Sequence, residues 1–213
     1  MKKGFIAYAA LLSTLLFFSC KKDSVQKPVV LQAKTVSNLA ADTIIGLAPS
    51  GQPYGSGKFT FYSLENNTII ANTDSASNKW DIAFRGTTII TNSGTSGSGN
   101  GGAFIYAGLF SDLTFISTDS TFKTDNAPAA YAIKTGSGNG WYSYNGAVNL
   151  ITPIPGRVLV IRTATGKYAK IEILNYYKGG ITPDASASDN DKLTKQRYYT
   201  FRFLFQPDGT RKF

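Results

Sequence analysis

The chain has no histidine, one cysteine and one methionine, Met1. Without imidazole it lacks the commonest general base, the usual histidine-dependent triads and most zinc and non-haem iron sites. With Cys20 its only thiol, no disulfide can close within the chain, and the fold must be stable through its core alone. Acids are few, 13 against 22 Lys and Arg, for a formal charge of +9. Most of them, among them Asp74, Asp112, Asp119, Asp125, Asp184, Asp189 and Asp191, stand in turn-like contexts. Asp81 follows Trp80 at the start of a strand-like run and is placed to accept hydrogen bonds from the glycine-rich stretch downstream. These absences predict that the chain is not an enzyme.

A long apolar run is also missing. The stretch 4–18 is too short to span a bilayer comfortably, and it follows the basic Met1-Lys2-Lys3. Residues 1–19 therefore read as a secretory signal. "LLFFSC" resembles the lipobox of bacterial lipoproteins, which implies that the Cys20 thiol takes a diacylglycerol and that the protein is held at a membrane by its acyl chains. Residues 20–41 are polar, contain Pro28 and keep no sustained period, so a flexible lipidated tether is expected there, with one β domain over 42–213. A basic surface suits nucleic acid, anionic lipid or an acidic small ligand. Export and anchoring argue against nucleic acid, and the basic residues are spread along strands apart from Lys21-Lys22.

What is abundant is Tyr, Phe, Ile, Val and Thr in short runs between Gly, Asn, Asp and Pro, which predicts a mostly antiparallel all-β protein. "RVLVIRT" and "KYAKIEILNYY" flank Ala164-Thr165-Gly166, a loop whose glycine suits a hairpin turn. Ala169, Ile171 and Ile173 share one face, Lys170 and Glu172 the other. "RYYTFRFLFQ" adds Tyr199, Phe201, Phe203 and Phe205 on one side, so a meander with one buried face is expected. The glycine-rich "TNSGTSGSGNGG" has no lysine and leads into the strand-like "AFIYAG". A phosphate-binding loop needs a lysine and a helix N-terminus, so nucleotide binding is excluded. Close-packed glycines predict a fixed, architectural loop with Trp80 and Phe84 beneath it, ligand contact being the other option.

"WDIAFRGTTIITNSGTSGSGNGGA" resembles the signature segment of the HmuY-like family of haem-capturing lipoproteins of diderm bacteria. "FTFYSLENNTII", "GWYSY", "RVLVIRTATGKYAKIEILNYYK" and "YYTFRFLFQPDG" resemble further family segments in the right order, over roughly residues 57–209. The resemblance implies a hand-like all-β fold, haem held between two hairpins, an outer-membrane and surface location, and transfer of haem to a TonB-dependent receptor. It also exposes a departure. Family members hold iron through two histidines or two methionines, and the corresponding positions here are Asn145 and Gly146 and the span 117–140. Tyr131, Tyr142 and Tyr144 lie in or near those stretches and are the candidate iron ligands, since tyrosinate is an accepted haem ligand. Lys134 and Arg157 are the candidate partners of haem propionates. Two functions stay open: haem or porphyrin binding for iron acquisition, and a module that has lost haem and binds another ligand or a protein.

Overall fold

The computed structural model describes residues 31–213; the signal segment, Cys20 and the first part of the expected tether lie outside them. In chain order the elements are β1 (Lys34–Ala40), β2 (Gly46–Leu47), β3 (Pro53–Tyr54), β4 (Thr60–Ser63), β5 (Thr68–Ile70), β6 (Ile82–Arg85) and β7 (Thr88–Thr91). They continue with β8 (Gly102–Ala107), β9 (Tyr142–Asn145), β10 (Leu150–Pro153), β11 (Arg157–Arg162), β12 (Tyr168–Tyr177), α1 (Asp189–Lys195) and β13 (Gln196–Gln206). All strand pairs are antiparallel, as the alternation of apolar and polar residues predicts.

A five-stranded sheet, ordered β1-β13-β12-β11-β8, faces a four-stranded sheet ordered β5-β4-β6-β7. The predicted hairpin is β11–β12, with Leu159 opposite Ile171, and Gly166 takes φ +85° in its loop. Phe201 of β13 meets Tyr62 of the facing sheet with ring centroids 5.7 Å apart and Phe84 at 5.5 Å; Tyr199 meets Phe84 at 4.7 Å. Such aromatic pairs add about 0.5–1.5 kcal/mol each beyond the area they bury. Phe84 thus belongs between the sheets and not beneath the glycine-rich loop.

Three expectations are corrected. The tether does not reach Ala41: β1 pairs with β13, Val36 opposite Phe201, and Leu39 is buried. Its sequence, KTVSNLA, carries too few apolar residues to announce a strand, because an edge strand needs only one or two inward side chains. The meander is covered on both faces, because Phe110, Leu113, Ile116, Phe122 and Phe213 fold across its outer side onto Val158 and Val160. Lys170, expected in solvent, is consequently buried; its Nζ donates to the Phe110 and Leu113 carbonyls at 2.7 and 2.8 Å, with the Phe110 ring 4.5 Å away. Finally, α1 has no apolar stripe to reveal it. Ser188 caps it by accepting from the Asp191 amide, and Lys195 pairs with Asp191 at 2.8 Å, so capping and charge hold it.

Candidate functional site

The glycine-rich loop between β7 and β8 is fixed from within by Asn92. This fully buried side chain donates from Nδ2 to the carbonyls of Trp80 (2.8 Å) and Ser77 (2.9 Å) and accepts at Oδ1 from the Gly99 amide (2.9 Å). A Cβ on Gly97 would collide with the Asn92 amide and with the Trp80 ring, and one on Gly101 would stand 2.5 Å from the Asn92 carbonyl oxygen. Trp80 does pack under the loop. Asp81 does not serve it as a side-chain acceptor: its carboxylate accepts from the amides of Leu64 (2.8 Å) and Ala164 (3.0 Å), tying the two sheets together. Asp125 plays a parallel part, accepting from Thr91 (2.9 Å) and Ala132 (2.7 Å). Burial pushes both carboxyls above the ordinary carboxylate range, and the backbone amides pull them partway back.

The three candidate tyrosines differ in environment: Tyr142 and Tyr144 share one face of β9 but differ in exposure, and Tyr131 packs on another cluster. Tyr131 packs half-buried on the cluster of Phe61, Trp80, Ala83 and Ile90. Tyr142 is buried in the main core, its ring 5.0 Å from that of Trp141. Tyr144 is 48% exposed and donates its hydroxyl proton to Asn149 Oδ1 at 2.7 Å, on the rim of a cleft that holds neither of the others. A pair of phenolates on opposite faces of one iron therefore has no basis in this geometry.

Lys134 and Arg157, by contrast, line one cleft of about 440 Å³ together with Lys123, Asn139, Phe104, Ile105, Ala107 and Ala132. Arg157 begins β11 and donates to the carbonyls of Gly140 and Gly138, both at 3.4 Å, which holds its guanidinium at the wall. Lys123 is delivered by an isolated bridge to Ala103, each amide donating to the other carbonyl at 2.9 Å. Lys123 was not legible as a site residue, since it stands between turn formers with no motif around it. Three cations, no carboxylate and an apolar floor suit a flat, apolar dianion.

A family model described as "HmuY protein" matches residues 56–186. The chain belongs to the HmuY family. This HmuY-family chain is similar to a candidate lipoprotein from Bacteroides fragilis, with 16% identity over 80% of this chain and 89% of that one and a TM-score of 0.49. It is similar to a candidate HmuY-like haem-binding protein of Bacteroides vulgatus, at 13% identity, 80% and 90% coverage and a TM-score of 0.47. The apo form of an HmuY analogue from Tannerella forsythia matches at 18% identity, 84% and 96% coverage and a TM-score of 0.42. No curated protein matches the chain.

Proposed function

We propose that this HmuY-family protein is an envelope lipoprotein, anchored through Cys20 at the outer membrane, that binds haem or a related porphyrin dicarboxylate for delivery to a TonB-dependent receptor. The observation that carries the reading is the convergence of Lys123, Lys134 and Arg157 on one apolar-floored cleft in a chain of this family. The residues fit the periphery of the group: lysine and arginine heads meet propionates, and Ile105 and Ala132, which lie on the inner side of β8, meet the macrocycle. They do not fit its iron, because the sequence has no histidine, Met1 is its only methionine, and none of the candidate tyrosines lines this cleft. Grip on the carboxylates and ring, without axial ligation, is the mode this site supports.

Titration of the mature protein with haem and with iron-free protoporphyrin IX tests this. Both should bind saturably with dissociation constants within about threefold, since the metal contributes little. Removing Lys134 and Arg157 together (Lys134→Ala, Arg157→Ala) should weaken both about thirtyfold, at about 1 kcal/mol for each charge-assisted contact on a half-open cleft. Tyr131→Phe, Tyr142→Phe and Tyr144→Phe should leave the Soret band in place. Spectra of free porphyrin at every ratio would sink the proposal. They would favour the second reading, a family member that binds a different ligand, which the lack of axial donors already supports.

A further inference from the structure

A second cleft, of about 370 Å³, opens at the junction of α1 and β13. The β2–β3 turn, the β6–β7 turn and the β9–β10 hairpin supply its other walls, through Pro53, Thr87, Tyr144 and Ile151. None of its lining residues is shared with the basic cleft.

Its unusual member is Arg197. Among the described residues, five non-glycine residues take positive φ, namely Asn38, Asp42, Asn67, Asn149 and Arg197. Four of them are Asn or Asp, whose short polar side chains tolerate the left-handed region. Arg197, at φ +69°, stands just past Gln196, the C-cap of α1, where a left-handed residue commonly ends a helix. Its surroundings hold the guanidinium at the cleft wall. Nη1 donates to the Asp42 carbonyl at 2.9 Å and stands 3.7 Å from Asp42 Oδ2, and the side chain is only 17% exposed. Among the described residues, the one further group its N–H donors face is the Tyr176 hydroxyl oxygen, which leaves the rest of its other edge open to a ligand.

Tyr176 stands beside it. The residue is 1% exposed yet lines the cleft, and among the described residues nothing accepts its hydroxyl proton. Burial raises its pKa, against the opposing pull of Arg197, so the phenol stays protonated and can donate. The cleft's own carboxylate, Asp189, is already engaged by Asn149 Nδ2 at 3.0 Å and by Lys192 Nζ at 4.0 Å. Lys192 in turn donates to the Ala185 carbonyl at 2.8 Å. Besides the side chains of Gln52, Thr87 and Gln196, what the cleft still offers is the open edge of the Arg197 guanidinium, one O–H donor and the apolar surfaces of Ile151, Leu193 and Tyr144.

We infer that this cleft binds a small monocarboxylate with an apolar body, separately from any porphyrin. The carboxylate accepts two parallel bonds from Arg197 Nε and Nη2 and a third from the Tyr176 hydroxyl, while the body lies along Ile151 and Leu193 toward Tyr144 at the mouth.

The test uses 3-phenylpropionate and its neutral isostere 3-phenylpropionamide, titrated into the mature ¹⁵N-labelled protein and followed by amide chemical shifts. The acid should shift Thr87, Tyr144 and Arg197 saturably, with the amide at least about tenfold weaker. Arg197→Lys, which keeps the charge but loses the planar fork, should weaken the acid about tenfold or more. Tyr176→Phe should weaken it about threefold to tenfold. Equal affinity for acid and amide, no shift at about 20 mM acid, undiminished binding by Arg197→Lys, or shifts confined to Lys123, Lys134 and Arg157 would each overturn the inference. If Arg197→Lys fails to fold, the acid-to-amide ratio on the unaltered protein decides alone. A failed porphyrin titration leaves this result untouched, since the two clefts share no residue.

Discussion

Replacing Asn92 by alanine removes one side-chain amide and orphans three backbone groups, the Trp80 and Ser77 carbonyls and the Gly99 amide. A neutral hydrogen bond contributes about 0.5–1.5 kcal/mol net, and a buried partner left unmade costs about 1–3 kcal/mol. Water can reach the Ser77 and Gly99 groups, which are only partly buried, but not the Trp80 carbonyl so readily. The expected loss is therefore about 3 kcal/mol, a large share of the roughly 5–15 kcal/mol that holds a domain together. Urea unfolding followed by tryptophan fluorescence reads it directly, since Trp80 packs under the loop; the midpoint should fall at an unchanged slope. Asn92→Asp separates hydrogen bonding from shape. One oxygen keeps the Gly99 bond while the other faces two carbonyl oxygens, so ionisation is disfavoured in the folded state and the folded pKa rises above the unfolded value of about 3.9. The folded state then binds the proton more tightly, and stability falls as pH rises through that window. Asn92→Asp should cost clearly more at pH 7 than at pH 4. A loss below about 1 kcal/mol for the alanine variant, or an aspartate variant indifferent to pH, would refute the claim that this side chain locks the loop.

Three further outcomes are expected. Asp81→Asn offers one acceptor to the two amides of Leu64 and Ala164 and should cost about 1–3 kcal/mol at pH 7. Because burial raises the Asp81 carboxyl, the unaltered protein should lose stability as pH climbs from about 3.9 through the raised value, and that slope should flatten in the variant, as urea midpoints across pH would show. A chain starting at Ala41 should be about 2–4 kcal/mol less stable than one starting at Lys34, having lost the β1 ladder and the burial of Leu39, whereas removing a mere tether would leave the thermal midpoint in place. Lys170→Met orphans the Phe110 and Leu113 carbonyls; a loss of about 1–3 kcal/mol, with faster hydrogen exchange over 109–116, is the expected readout.

How legible the fold was depended on which signal each element carries. β11, β12 and β13 announce themselves because their buried residues recur with period two, Ala169, Ile171 and Ile173 against Tyr199, Phe201 and Phe203. β1 hid because a strand at the sheet edge commits little beyond Leu39 and Val36, and α1 hid because its stability is in a cap and an ion pair. Lys170 was misplaced for a related reason: alternation tells which side chains share a face, not whether distant chain will cover that face. Of the expected site, Lys134 and Arg157 line one cleft, whereas Tyr131 packs on a different cluster from Tyr142, and Tyr144, on the same face of β9 as Tyr142, is half-exposed.

The sequence by itself determined the chemistry that is missing, with no imidazole and a single thiol, and it determined the β character and the family, because those depend on which residues are present and on their local order. Only the tertiary structure decided that Asn92 and not Asp81 holds the glycine-rich loop, that Lys123 joins Lys134 and Arg157, and that Arg197 is bent toward Tyr176. Each of those depends on contacts between residues of different strands and loops, from 7 positions apart for Asn92 and Gly99 to 155 for Arg197 and Asp42. Such contacts are set by how two sheets pack and by which loops the packing brings together, and no local pattern encodes that.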